Sequence, residues 1–188
     1  MLSEQQKKML VGGFIAFIMV FSIFGFVLNY SVTNTANTYE YLDHTFKATQ
    51  DGYTTTIDDI EYTFYLLPSD VDSYAISEAA KSLLGANAYA VTYDPKAEYP
   101  ELLAEAQYIF EQGLNVKITR GLTDNNGTAL PNITCADGTS DMPVIYFTQA
   151  NETQITHDGA CIKAQFLDQY DLLRQEELLR YLILGVIA

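Results

Sequence analysis

The chain has no tryptophan, two histidines and two cysteines in 188 residues. That scarcity narrows the chemistry available. His44 and His157 stand about 113 positions apart, so a serine or cysteine triad has few ways to form, and both histidines are expected at the surface. Two cysteines without a neighbouring histidine set do not make a zinc site. Glycine is missing where nucleotide chemistry needs it. The segment LPSDVDSYAIS (67–77) joins an expected strand to an expected helix and contains none, which excludes a dinucleotide fingerprint or a P-loop there. No G-x-S-x-G elbow occurs. Basic residues are few: ten Lys and Arg against 24 Asp and Glu, a formal net charge of −14. Such a balance argues against nucleic acid and anionic lipid as partners and favours solubility.

The acidic motifs stop short of metal sites. Asp70-x-Asp72 suits a turn and a helix entry as well as a metal. An EF-hand built on TDNNGT would need its first ligand at Leu122, and one built on CADGTSD would need it at Ile133; neither side chain coordinates. No cofactor, resident metal or catalytic residue is therefore assigned, and a weak calcium site in this oxygen-rich loop region stays open.

Long apolar sequence is not lacking. Residues Met9 to Leu28 form an uncharged run of 20. At ~1.5 Å per residue it spans ~30 Å, the thickness of a bilayer's hydrocarbon core. Lys7 and Lys8 precede it and no early positive charge follows, which predicts a cytoplasmic N-terminus and an extracytoplasmic remainder. A cleaved signal peptide would have a shorter apolar region and a small-x-small site; Phe26, Leu28 and Tyr30 fill the expected positions. The reading is an uncleaved signal-anchor: 1–8 a cytoplasmic tail, 9–28 a transmembrane helix, 29–43 a polar stalk, 44–188 one extracytoplasmic domain. Gly12, Gly13 and Gly25 would let a partner helix pack closely on the anchor.

Outside the membrane an even pair of cysteines defaults to a disulfide, so Cys135 and Cys161 are expected to be bonded. N-glycosylation acceptor patterns fit the same compartment. They occur at Asn126, Asn132 and Asn151, and at Asn29, which stands too near the membrane to be modified.

Periodicity predicts an α/β domain. HTFKAT, YTTTI and IEYTFYLL form a β-meander, turned at Asp51-Gly52 and Asp58-Asp59, with the third strand buried on both faces. ISEAAKSLLG is a helix capped by Ser77 and stopped by Gly85. AYAVTYDP is a strand. YPELLAEAQYIFEQG is a helix with Pro100 in its first turn and Gly113 as its stop, and NVKITRG is a strand. The order predicts a parallel βαβαβ core. MPVIYFTQ and ACIKAQF bracket ANETQITHDG and are expected to form a disulfide-linked antiparallel hairpin. A C-terminal helix from about Asp168 to Ile187 carries the apolar stripe Leu172, Leu179, Leu182, Ile183 and Val186; Arg180 and its short length argue against a second membrane span. The 14 tyrosines are expected at wet edges of the fold.

Ligands of open α/β sheets collect beyond the C-terminal strand ends. In the expected topology those ends bring together Ser69, Asp70, Tyr93, Asp94 and Arg120. Arg120 would either bind a carboxylate-bearing ligand or pair with Asp94. FYLLPSDV, AVTYDP, the NITC…MPVIYF…GACI block and the Leu-rich C-terminal helix together resemble a group of small, membrane-anchored archaeal surface proteins. The resemblance implies a cell-surface setting and no catalytic residues. Three roles follow: an interaction or structural module in an envelope or membrane complex, a ligand-binding domain using the strand-end cleft, or an envelope enzyme, such as a glycan hydrolase, using carboxylates.

Overall fold

The computed structural model describes residues 37–125 and 127–187. The expected tail, the anchor, the stalk as far as residue 36 and the sequon Asn126 lie outside the described residues. The first sheet is four-stranded, in the order β1 (Thr38–Tyr41), β2 (His44–Ala48), β3 (Tyr53–Ile57) and β4 (Ile60–Phe64), with β2, β3 and β4 antiparallel. The meander therefore forms as expected, with one more strand than its sequence pattern indicates: Thr38–Tyr41 belongs to the sheet, not to a stalk. Asp58 and Asp59 both take positive φ, 50° and 64°, the backbone of a two-residue turn whose twist matches that of its strands. At Gly52, φ is 133° and a Cβ would stand 2.2 Å from the Phe64 carbonyl oxygen, so only glycine fits. β4 is not buried on both faces. Tyr62 and Phe64 point inward, while Glu61 and Thr63 face solvent.

The second sheet has the order β6-β5-β7-β9-β8, where β5 is Ala88–Tyr93, β6 Lys117–Arg120, β7 Val144–Gln149, β8 Gln154–Asp158 and β9 Cys161–Phe166. Pairs β5–β6, β5–β7 and β7–β9 are parallel, and β8–β9 is antiparallel. Two expectations are corrected here. The βαβαβ core shrinks because β4 stays in the first sheet, so only β5, the helix that follows it and β6 make a parallel unit of the expected kind. The MPVIYFTQ and ACIKAQF strands are parallel neighbours, because ANETQITHDG is long enough to hold β8, which forms the hairpin with β9 instead.

Three α-helices complete the described fold: α1 (Glu78–Leu83), α2 (Pro100–Gln112) and α3 (Gln169–Ile183). The Ser77 side chain caps α1 by accepting from the Ala80 N–H, and Asp168 caps α3 by accepting from the Asp171 N–H. Among the described residues no helix is long and apolar enough to cross a membrane. α3 lies in the interior. Tyr181 stacks on Phe64 of the first sheet at 4.2 Å between ring centroids, and α3 also packs against β9 and α2.

The second sheet is covered differently on its two faces. Tyr89, Val91, Tyr93, Ile145, Phe147, Ile162 and Phe166 join the main core with the helices. The alternate residues Ala90, Val144 and Cys161 meet Ile133 from the long loop between β6 and β7. Thr92 donates to the Ile133 carbonyl at 2.8 Å, and a Cβ on Gly121 would stand 2.5 Å from the Ile133 side chain. Cys135 and Cys161 are disulfide-bonded across 26 positions and tie this loop to β9. A closed loop of that length restricts the unfolded chain by about 3.5 kcal/mol. Cys135→Ser/Cys161→Ser is expected to lose about that much stability in urea unfolding; a loss near zero would mean that Ile133 and Thr92 hold the loop unaided.

Candidate functional site

Of the five residues expected at the strand ends, Tyr93, Asp94 and Arg120 stand at the neighbouring ends of the parallel strands β5 and β6, while Ser69 and Asp70 follow β4 of the first sheet. Among the described residues, no hydrogen bond or ion pair joins Ser69 or Asp70 to Tyr93, Asp94 or Arg120. Ser69 and Asp70 stand in the short helical turn Pro68–Asp70 that follows β4, a strand of the first sheet. Asp70 closes a short turn by accepting from the Leu67 N–H at 3.0 Å. Tyr93 is buried, and burial raises the pKa of its phenol, with Glu101 adding to the rise. Asp94 accepts from the Lys96 N–H at 2.9 Å. Arg120 pairs with Glu111 at 2.9 Å, not with Asp94, because α2 runs alongside β6 and offers the nearer carboxylate. At the ends of β7 and β9, Gln149, Asn151, Glu152, Gln154 and Gln165 line an open polar depression.

Both sequons within the described residues reach the surface. Asn132 is exposed, and in the amide orientation that satisfies its neighbours it donates to the Thr123 and Leu122 carbonyls at 2.6 and 3.0 Å. Asn151 is exposed, and its sequon partner Thr153 donates to Asp171.

The unusual chemistry is elsewhere, on α3. From Gln175 to Tyr181 every residue is buried. Four of them are polar: Gln175, Glu176, Glu177 and Arg180 are only 0 %, 1 %, 0 % and 2 % exposed. Charges are rarely buried this fully unless they are paired. Arg180 supplies the pairing. It donates to Glu177 Oε1 at 2.9 Å, to the Thr63 carbonyl at 2.8 Å and to the Gly113 carbonyl at 3.4 Å, and its guanidinium lies 4.6 Å from the Phe64 ring centroid. One side chain thus joins α3 to β4 and to the end of α2. It also explains Gly113. That residue ends α2 as expected, but its φ of −83° does not require glycine; a Cβ there would stand 2.5 Å from Arg180 Nε.

Two carboxyls share this one guanidinium, unequally. Glu177 also accepts from the Tyr65 N–H at 3.3 Å, whereas Glu176 comes no nearer than 3.9 Å to Arg180. Among the described residues, Glu176 Oε1, Glu177 Oε2, Arg180 Nε and both amide atoms of Gln175 find no hydrogen-bond partner. Burial pushes the Glu176 carboxyl up to about 8, with repulsion from Glu177 adding and Arg180 opposing. Burial pushes Glu177 up to about 7 against the opposing pull of Arg180 and the Tyr65 and Leu66 backbone. Both carboxyls are therefore harder to ionise than an exposed glutamate, Glu176 more so than Glu177, whose charged form Arg180 and the Tyr65 N–H favour.

Glu176 also reaches a cavity. A groove of about 490 Å³ runs between α2 and α3, with apolar walls from Leu102, Ala106, Ile109, Leu172 and Leu173. A second groove of about 350 Å³ adjoins it and shares Tyr65 and Ile109. Three exposed tyrosines border the pair: Tyr65 at 50 % exposure, Tyr108 at 52 % and Tyr170 at 74 %. Neither the cluster nor the grooves were expected from the sequence. The only signal there is the run QEELLR inside a helix with an apolar stripe, a pattern that more often marks a solvated face. No known protein family, curated protein or solved structure matches the chain.

Proposed function

We propose that the chain is a single-pass, membrane-anchored, extracytoplasmic interaction module that contributes to a cell-envelope or membrane complex and docks a protein partner on the face formed by α2 and α3. The observation that carries this reading is the gathering of Tyr65, Tyr108 and Tyr170 around two adjoining grooves. Tyrosine offers large contact area at small entropic cost and is enriched at interaction surfaces. The apolar run 9–28 and the flanking lysines support the anchor, and the disulfide supports an oxidising space. The surface sequons and the resemblance to archaeal surface proteins agree with that setting.

The test is a comparison of full-length chains purified in mild detergent. Tyr65→Ser/Tyr108→Ser/Tyr170→Ser should retain the fold and the disulfide and lose a stoichiometric partner by roughly tenfold or more. Asp70→Asn/Asp94→Asn/Arg120→Gln should keep that partner. If the tyrosine variant held the partner as well as the parent did, or if only the second variant lost it, the docking face would be elsewhere.

A further inference from the structure

The groove contains a clue to what it receives. Its lining includes two carboxyl side chains, Glu105 and Glu176, and no basic residue. Glu176 is the less firmly held member of the buried cluster: Arg180 donates to Glu177 and to two backbone carbonyls but comes no nearer than 3.9 Å to Glu176 Oε1, which among the described residues accepts no hydrogen bond. Ionising a buried carboxyl held this loosely is costly unless a further cation completes it. The walls leading to it are apolar and rimmed by Tyr65 and Tyr170.

We infer that the groove between α2 and α3 is a receptor for an arginine side chain of the docking partner, its methylene stem lying along Leu102, Ile109, Leu172 and Leu173 and its guanidinium seated on Glu176. This rests on the reading of that face as the contact surface. Guanidinium suits the place better than ammonium: it is more weakly hydrated, presents a planar fork to a carboxylate and stacks on aromatic rings. Seating it requires ionised Glu176, so the proton held by that carboxyl leaves to solvent as the ion pair forms. The charged or titratable groups around Glu176 and its groove are Glu177, Arg180 and the Tyr170 phenol on α3, Glu105 on α2 and the Tyr65 phenol after β4. Below the pKa of about 8, affinity should rise by up to about tenfold per pH unit and then level off.

The probe is n-butylguanidinium, titrated by saturation-transfer NMR into the full chain in detergent micelles, with Glu176→Gln in the same micelles as reference. 1-Pentanol and n-pentylammonium are the comparison probes. The expected result is binding to the parent chain at least about tenfold tighter than to Glu176→Gln, rising between pH 6 and pH 8 in the parent and flat in the variant. Equal binding of butylguanidinium and pentanol, or a parent affinity independent of pH, overturns the inference even without the variant. Pentylammonium binding as tightly as the guanidinium overturns the choice of arginine. These outcomes are separate from the tyrosine experiment: loss of the partner with no Glu176 dependence leaves the docking face standing and removes only the arginine seat.

Discussion

Arg180→Met should destabilise the chain by about 3–5 kcal/mol at pH 8. Methionine fills much of the same volume, so the loss is one of charge and hydrogen bonding, not of packing. The substitution leaves Glu176 and Glu177 buried without their cation and takes the donor from the Thr63 and Gly113 carbonyls. The decisive comparison is the triple variant Glu176→Gln/Glu177→Gln/Arg180→Met. Removing all three charges together removes the desolvation cost as well as the attraction, so the triple variant should recover most of the stability lost by Arg180→Met. Urea unfolding of the two variants beside the parent measures both. An Arg180→Met loss under about 1 kcal/mol, within the range of an exposed pair, would mean that Arg180 does not hold the cluster.

The second large effect is on pH. Both carboxyls are raised from an ordinary value of 4.5, Glu176 to about 8 and Glu177 to about 7. The folded chain therefore keeps protons that the unfolded chain releases. Their contribution to stability is fully present below about pH 4.5, is lost progressively as pH rises, and is exhausted above about pH 8. Folding that raises one carboxyl pKa tenfold in proton affinity gains about 1.4 kcal/mol at low pH, so the parent should be several kcal/mol more stable at pH 5 than at pH 8.5. Self-repulsion within a chain of net charge −14 acts in the same direction. Glu176→Gln/Glu177→Gln should flatten most of the dependence, as followed by unfolding midpoints across that range. A parent more stable at pH 8.5 than at pH 5 would falsify the assignment of raised pKa values to this pair.

Much of the architecture is legible from local chemistry. Asp51-Gly52 and Asp58-Asp59 announce tight turns, so the first sheet reads as a meander. Ser77, Pro100 and Gly113 mark helix ends in the residues themselves. The cysteine pair follows from even number and expected compartment, and Cys135 and Cys161 are bonded. Pairing at a distance is not legible in this way. Nothing in IEYTFYLL says which sheet it joins, and only element order suggests a sheet shared with β5. Once β4 belongs to the first sheet, Ser69 and Asp70 no longer follow a strand of the sheet that carries Tyr93, Asp94 and Arg120. Similarly, Arg120 meets Glu111 rather than Asp94 because of where α2 lies, a matter of packing.

The sequence by itself determined most element types, though not the strands β1 and β8, together with the turns, the acidic character and the cysteine pair, because each depends on neighbours a few residues away or on composition. The tertiary structure alone decided the strand order, the parallel pairing of β7 with β9 and the character of α3. Glu176, Glu177 and Arg180 stand at spacings that on most helices form exposed ion pairs. Here the first sheet, β9 and α2 all pack against that helix, so the polar face has no solvent left to meet. Burial depends on everything that surrounds a residue, and periodicity along one helix carries no information about what will cover its second face.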